Sequence, residues 1–422
     1  MSTPAQLAQA AFLQAAFLTD PRVQAILAML NSDGEAARVI GGAVRNALLG
    51  LPVADIDICT TALPGIVTTR AQAAGFKTVP IGIAHGTVTV IIDAMAFEVT
   101  TLRQDIATDG RHATVSFGRD FAADALRRDF TINALGLDTD GRLHDYCGGL
   151  EDLAARRVRF IGDAGQRIAE DYLRILRFFR FHATFGHGDL DRAGLEACIA
   201  GRAGLAQLSR ERIRSEVLKL LAARRGPQAA AAMSDAGLLG LLTGGAPYVA
   251  RLARLAAIEA ARDAPADPVA RLAGLALMTA QDAQRLADRL RLSHAEATRL
   301  TVAAHALPAF LEAAGPPPYG RLRELLFAHK RQGAQDGLLL AHAVRAAAPD
   351  DPAFTGAWRF LRDTPEPRLP FGGVDLLARG MAGGKAVGEV LKRLQASWIR
   401  AGFPHDPATL ARLLDGAMHP PD

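Results

Sequence analysis

Every strand signal in this 422-residue chain falls between about residues 35 and 145, and that asymmetry limits the fold more than any single motif. Within the stretch, "ARVIGG" and "ADIDICT" read as strands with the helix "AVRNALLG" between them, and "IVTTRAQAAGF" reads as a second helix. "GTVTVIIDAMAFEVTTL" has the pattern of a hairpin of two β-branched strands, and "INALGLDTDGRLHDY" of another with an Asp-Gly turn at 140–141. Beyond about residue 150 helix follows helix, with breaks at "RRGP", "DAPADP", "GPPPYG", "APDDP" and "DTPEPRLPFGG". There is no fixed repeat and no low-complexity tail. The expectation is an α+β chain: a small mixed-sheet head with N-terminal helices over 1–145, a helical neck over 146–222, a helical body over 223–330 and a helical tail over 331–422.

Half of the residues (50%) are apolar and aromatics are sparse, which suits an Ala/Leu-rich, mostly helical soluble protein. The formal charge is only +4, but the sequence pI is about 9.2, and Lys77, Lys219, Lys330, Lys385 and Lys392 are the only lysines. An arginine excess fits a polyanionic partner, because guanidinium forks match phosphate bidentately. A GC-rich coding sequence produces the same bias, so composition leaves both readings open. Cys59, Cys147 and Cys198 show no CxxC or Cys/His spacing, which argues against a disulfide framework or a structural zinc site. The first thirty residues lack the basic start of a signal peptide, and Asp20-Pro21 splits them into two short amphipathic helices. No uncharged apolar run reaches the roughly 18 residues that a membrane span needs. A cytoplasmic protein without membrane association is expected.

The chemistry concentrates in "GGAVRNALLGLPVADIDI", residues 41–58. Alternate side chains of a strand share a face, so Asp55 and Asp57 point one way while Ile56 and Ile58 point into the core. Two carboxylates held that close ionise together only with a cation between them. Hard oxygen donors on a rigid strand suit Mg²⁺, which takes one or two carboxylates plus substrate phosphates. The competing reading is a solvated strand rim in which Asp55 caps a turn. Gly41 and Gly42 end a strand and start a helix, an arrangement that aims backbone N–H groups and a helix dipole at one spot. Arg45, one turn further in, is within reach of a phosphate held there. Glu98 in the strand "AFEVTTL" is the candidate third acid. The spacing is not that of a P-loop: Gly384-Lys385 is followed by alanine.

These residues resemble the signature of the polymerase-β-like nucleotidyltransferase superfamily, in its CCA-adding tRNA nucleotidyltransferase/bacterial poly(A) polymerase branch. Further stretches are similar in the same order. "GIAHGTVTV" (82–90) and "EVTTLRQD" (98–105) resemble the segment around the third acid, and "DALRRDFTINAL" (124–135) the ribose-contacting motif. "DYCGGLEDL" (145–153) resembles the head–neck hinge, "EDYLRILRFFRF" (170–181) the base-reading helix, and "LSRERIRSEVLKLL" (208–221) the motif that braces it. The resemblance covers about residues 38 to 221. It departs at Asn46, where the family usually has aspartate, and altered local hydrogen bonding is the expected consequence.

The resemblance implies addition of C, C and A to the 3′ end of tRNA from CTP and ATP, with release of pyrophosphate. It implies Mg²⁺ on Asp55 and Asp57, with Glu98 alongside, and no protein partner is indicated. It assigns nucleotide contacts to Gly41, Gly42, Arg45, Arg128, Asp129, Asp171, Arg174, Arg177 and Arg180. Asp171 and Arg174 lie three apart on an expected helix from about 166 to 184, and so share a face. A carboxylate beside a guanidinium matches the amino group and ring nitrogen that cytosine and adenine present, where uracil and guanine present a carbonyl. Ordinary helix ion pairing is the alternative for these residues, as is an Arg128–Asp129 pair for that motif. Thr131 and Asn133 are expected to hold a turn. His85 and His112 read as structural or RNA-facing, since two-metal phosphoryl transfer needs little from histidine. Lys392, Arg393 and Arg400 are candidates for tRNA backbone contact, or members of a solvated face. The nearest rival is a poly(A) polymerase of the same branch, whose basic-aromatic run between the acids is absent here. The loop at 105–126, before "RRDF", favours full CCA or A-only addition over CC addition. A non-catalytic RNA-binding relative is opposed by the three retained acids.

Overall fold

The computed structural model describes residues 16–79, 86–108 and 113–418. The chain packs as two compact units, Met1–Leu238 and Leu239–Asp422. In the first unit a seven-stranded sheet has the order β3-β4-β5-β2-β1-β8-β9. Its strands are β1 (Ala37–Ile40), β2 (Ile56–Thr60), β3 (Lys77–Val79), β4 (Thr87–Ile92), β5 (Met95–Thr101), β8 (Leu135–Leu137) and β9 (Leu143–Asp145). β2 and β5 run parallel and the other neighbours antiparallel, so the sheet is mixed, as the sequence pattern implies.

The strands form where the period is two. In β4, Val88, Val90 and Ile92 are buried while the residues between them are half-buried. β4 turns into β5 through Asp93 (φ 45°) and Ala94 (φ 65°), the pair of positive φ values that a two-residue hairpin loop demands. Gly141 (φ 78°) serves the expected Asp-Gly turn between β8 and β9. One feature departs from expectation. The stretch read as a loop at 105–126 instead contributes a separate two-stranded ribbon, β6 (Arg103–Thr108) and β7 (Ala113–Phe117), followed by the helix Phe121–Leu126. The ribbon stands outside the main sheet.

The remainder of the first unit is helical. Asp20 caps the helix Pro21–Leu30 by accepting from the Arg22 N–H at 2.8 Å; of the other expected helix only Ala16–Thr19 is among the described residues, as a 3₁₀ turn. Phe130, from the "RRDF" motif, packs tilted at 4.8 Å from Phe160 and 5.3 Å from Phe181, and Phe160 stacks at 5.4 Å on Phe178. Phe178 and Phe181 belong to the helix Leu173–Phe185, so this aromatic cluster fixes that helix against the sheet-bearing part of the unit. That contact positions the site.

All regular structure among the described residues of the second unit is helical. Asp267 and Asp351 cap the helices Pro268–Ala276 and Pro352–Asp363 just after two of the predicted breaks. Arg299 joins three segments by bridging Asp267 and Asp336, each at 2.7 Å. The expected 330/331 boundary falls inside the helical segment Tyr319–Arg345, at Lys330, whose backbone (φ 59°, ψ 172°) breaks the helix. The break frees the Arg331 N–H, which donates to Glu366 Oε1 at 2.9 Å. A side chain strains that conformation by about 1–3 kcal/mol. Lys330→Gly removes the strain and loses about 0.5–1 kcal/mol to unfolded-chain entropy. Calorimetry is therefore expected to show this unit melting a few degrees (~2–4 °C) higher in the variant; a lower melting temperature would contradict the strain.

No helix among the described residues is long and apolar enough to cross a membrane.

Candidate active site

β2 carries the acids because its neighbours fix its register. Ile40 of β1 pairs with Asp57, and on the other side Asp57 pairs with Glu98 of β5. Partners in a parallel ladder share a face, so Asp57 and Glu98 stand side by side. Asp55 lies one residue before β2 begins, rather than within the strand as the sequence pattern suggested, and is exposed. Burial, then the Glu98 charge and to a lesser degree Asp55, push the Asp57 carboxyl above its ordinary range, while Arg128 opposes them. Half-buried Asp57 thus has exposed Glu98 beside it on the sheet and exposed Asp55 two residues before it in the chain.

Among the described residues no three His, Cys, Asp or Glu side chains enclose a point that could hold a metal ion. An open carboxylate pair still fits a hard divalent cation, which fills its shell with phosphate oxygens and water. The donor chemistry and the raised Asp57 both match such an ion.

Arg128 lies beside this cluster. Its Nη2 donates to Asp124 Oδ2 at 3.0 Å and to Cys59 Sγ at 3.2 Å. A side chain on Gly41 would meet Arg128 Nη1 at 3.8 Å and the Asn133 carbonyl at 3.6 Å, ordinary contacts, so it is the backbone at φ 69° that calls for glycine in this turn. The Gly41 N–H, expected to face an anion, donates instead to the Leu135 carbonyl at 3.0 Å. Arg45 differs from its expected posture as well. It is 8% exposed, donates to Asn133 Oδ1 and Asn46 Oδ1, and lies 3.9 Å over the Phe185 ring. Burial, with Arg180 and Arg177 nearby, lowers it to about 10. It braces the turn from below, against the end of the Leu173–Phe185 helix.

The alternative of an Arg128–Asp129 pair is not realised; Arg128 holds Asp124 and Asp129 holds Arg177. Asp129, 9% exposed, accepts from Arg177 Nε at 2.8 Å and Nη2 at 2.5 Å, from Asn133 Nδ2 at 3.0 Å and from the Phe130 N–H at 2.8 Å. Burial would raise its carboxyl, but Arg177 and these hydrogen bonds hold it below the usual range. Asp129→Ala leaves the Arg177 guanidinium without its counter-charge, and unfolding in urea is expected to show a loss of about 3 kcal/mol. A loss under about 1 kcal/mol would show the pair to be incidental.

The helix expected from 166 to 184 is two helices, Ala164–Glu170 and Leu173–Phe185, broken at Asp171 (φ −155°, ψ 105°). The break has three supports. Asp171 Oδ1 accepts from the Leu173 N–H at 3.1 Å, and Asp171 Oδ2 accepts from Arg212 Nη2 at 2.7 Å. The Tyr172 ring lies so close over Gly204 that a Cβ there would come within 2.1 Å of it. Asp171 and Arg174 therefore do not share the face of one continuous helix. Arg174 Nη1 donates to Glu170 Oε2 at 2.6 Å and to the Arg167 carbonyl at 2.7 Å, and its Nη2 reaches the Arg127 carbonyl at 3.5 Å. Arg180 pairs with Glu216 at 2.5 Å and lies 4.3 Å over the Phe181 ring. The helix Arg210–Ala222, which carries Arg212 and Glu216, thus holds Asp171 and Arg180 by ion pairs.

The family profile described as the poly A polymerase head domain matches residues 37–159. The mouse mitochondrial CCA tRNA nucleotidyltransferase 1 is 34% identical over 387 residues, 87% of this chain and 83% of that protein. This chain belongs to the CCA-adding tRNA nucleotidyltransferases. The Geobacillus thermodenitrificans CCA-adding enzyme is 40% identical over 221 residues, 52% of this chain and 54% of its own. The Bacillus stearothermophilus CCA-adding enzyme, solved in complex with CTP, matches with a TM-score of 0.71 at 26% identity, covering 98% of each chain. The Thermotoga maritima CCA-adding enzyme complexed with tRNA shares the fold at 19% identity, with a TM-score of 0.68 over 96% of this chain and 98% of that one.

As a nucleotidyltransferase of this family the chain uses divalent metal. Several residues of its site escaped sequence reasoning. Asp124, 2% exposed, holds both Arg127 and Arg128, and its i+3 and i+4 spacing to them was a usable signal. Arg212 and Glu216 fall in the stretch 208–221 expected to brace the base-reading helix, but which acid and arginine they hold, and the contact of Phe185 with Arg45, carried no local signal, because these partners lie far off in sequence. Thr131 and Asn133 do hold a turn, a 3₁₀ turn in which Thr131 Oγ1 donates to Asp152 at 2.6 Å. His85 and His112 lie outside the described residues. In the second unit Lys392 and Arg400 are exposed, while Arg393 donates to the Ala417 carbonyl at 3.0 Å. Cys59 and Cys198 are buried, Cys147 is half-buried, and all three are unpaired.

Proposed function

We propose that the chain adds C, C and A to the 3′ end of tRNA from CTP and ATP, releasing pyrophosphate. The observation that carries the reading is the pairing of Asp57 with Glu98 beside Arg128, whose neighbour Arg127 is touched by Arg174. Asp55 and Asp57 would hold Mg²⁺, with Glu98 alongside. When bound, the metal supplies Lewis-acid activation of the terminal 3′-hydroxyl and stabilises charge on the departing pyrophosphate.

The chain's own residues do the rest. Gly41, at φ 69°, makes the turn beside Arg128 at which the triphosphate would be held. Arg45 keeps that turn rigid. Asp171 presents an acceptor and Arg174 a donor to the base edge, a pair of roles that suits cytosine and adenine. Asp129 holds Arg177 and Glu216 holds Arg180, so that both arginines line the nucleotide side of the neck helix in a fixed posture. Exposed Lys392 and Arg400 suit backbone contact with A-form RNA, which proteins read by shape. Three unpaired cysteines suit a reducing compartment, and the cytoplasm is the setting we propose.

The test supplies CTP and ATP, separately and together, with tRNA lacking one, two or three 3′ nucleotides. Full repair of all three is expected. ATP incorporation confined to tRNA already ending in CC would reduce the reading to A addition, and ATP runs on any RNA would convert it to polyadenylation.

A further inference from the structure

Between the helix Gly42–Leu48 and β2 the chain runs without regular structure to Asp55. Across 51–54 the described hydrogen bonds both go to one residue. The Leu51 N–H donates to the Asn46 carbonyl at 2.8 Å, and the Pro52 carbonyl accepts from Asn46 Nδ2 at 3.0 Å. Leu51, Pro52 and Ala54 are exposed, so packing adds little. The other end of the same carboxamide, Oδ1, accepts from Arg45 Nε at 3.2 Å and Nη2 at 2.9 Å. Arg45 is itself fixed by Asn133 and Phe185.

We infer that Asn46 is a positioning residue for Asp55. Its amide accepts on one side and donates on the other, and so ties the segment leading to Asp55 onto the rigid Arg45 support. The anchor point is three residues before the carboxylate. A metal ligand placed on an unanchored exposed segment must be ordered as the ion binds, and an anchor made in advance removes that loss. An aspartate at position 46 keeps both contacts with Arg45 but has no hydrogen to give the Pro52 carbonyl. An amide is therefore the group this segment needs, which accounts for the chain's departure from the aspartate of the resembled motif.

The inference rests on the reading of Asp55 as a metal ligand, and the experiment separates the two. Binding of Mn²⁺ alone to the full chain is followed by water-proton relaxation for wild type, Asn46→Ala, Asn46→Asp and Asp55→Asn, with melting temperatures recorded in chelator. Both Asn46 variants are expected to bind Mn²⁺ about fivefold more weakly. Asn46→Asp should melt at or above the wild-type temperature, because its carboxylate pairs with Arg45, so weaker Mn²⁺ binding there reports position rather than lost fold. Wild-type affinity in Asn46→Asp, with or without a loss in Asn46→Ala, overturns the role of the Pro52 anchor. If Asp55→Asn binds Mn²⁺ as wild type does, the metal reading of Asp55 fails and takes this inference with it. If Asp55→Asn loses affinity while both Asn46 variants keep it, only the role of Asn46 fails.

Discussion

Asp57→Ala is expected to slow CMP and AMP addition by about a thousandfold or more at saturating nucleotide. A bound divalent ion supplies several kcal/mol of charge stabilisation, and each 1.36 kcal/mol is a factor of ten in rate. The fold is expected to survive. Asp57 is half-buried, and burial together with Glu98 holds its carboxyl above the ordinary range. A carboxylate raised in this way destabilises the folded chain at every pH above its unfolded value, since the unfolded chain gives up that proton more easily. In chelator at neutral pH the variant should therefore melt at or above the wild-type temperature. Steady-state incorporation of labelled CTP reads the first effect and calorimetry the second. A rate within tenfold of wild type would end the metal-binding assignment. A collapse of the melting temperature would make Asp57 a structural residue.

Asp171→Ala is expected to blur base choice rather than stop the chemistry. One two-point contact with a base edge discriminates by about 1–3 kcal/mol, so preference for CTP over UTP, and for ATP over GTP, should fall by about 5- to 150-fold. Dependence on divalent metal should persist, because the acids lie on β2 and β5. The structure adds a reason for choosing Asp171 first. Arg174 also holds Glu170 and the Arg167 carbonyl, so its removal disturbs the helix Ala164–Glu170, whereas Asp171 stands outside both helices and is held by Arg212. Competition between pairs of triphosphates on tRNA lacking its last nucleotide measures the ratio directly. Unchanged selectivity in Asp171→Ala would assign the base edge elsewhere.

Much of the site could be read along the chain because its signals are local. The double glycine, the alternation through Asp55 and Asp57, and the β-branched run around Glu98 each depend on neighbours a few residues away. The break at Asp171 shows where such reading ends. Residues 166–184 hold neither glycine nor proline, and their spacing of apolar side chains runs on without interruption. The helix stops there because the Tyr172 ring settles on Gly204 and Arg212 draws Asp171 aside, and both partners arrive from more than a helix away. The beginning of β2 is a milder case: alternation includes Asp55, but pairing with β5 begins only at Ile56.

The sequence by itself determined the kind of chain this is: a strand-bearing head that offers two acids beside a glycine turn, followed by helices with marked breaks. Periodicity and turn chemistry act within a few residues, so they survive translation into a linear text. Glu98 could be named from its strand, but only the tertiary structure set its register beside Asp57 and decided which arginine belongs to which carboxylate. Asp129 took Arg177 from 48 residues away, and Glu216 took Arg180 from 36. Adjacent or helically spaced partners were available in each case and differ by only a few tenths of a kcal/mol in isolation. Burial of the aromatic cluster around Phe130 and Phe181 set the distances, and those distances chose the pairs.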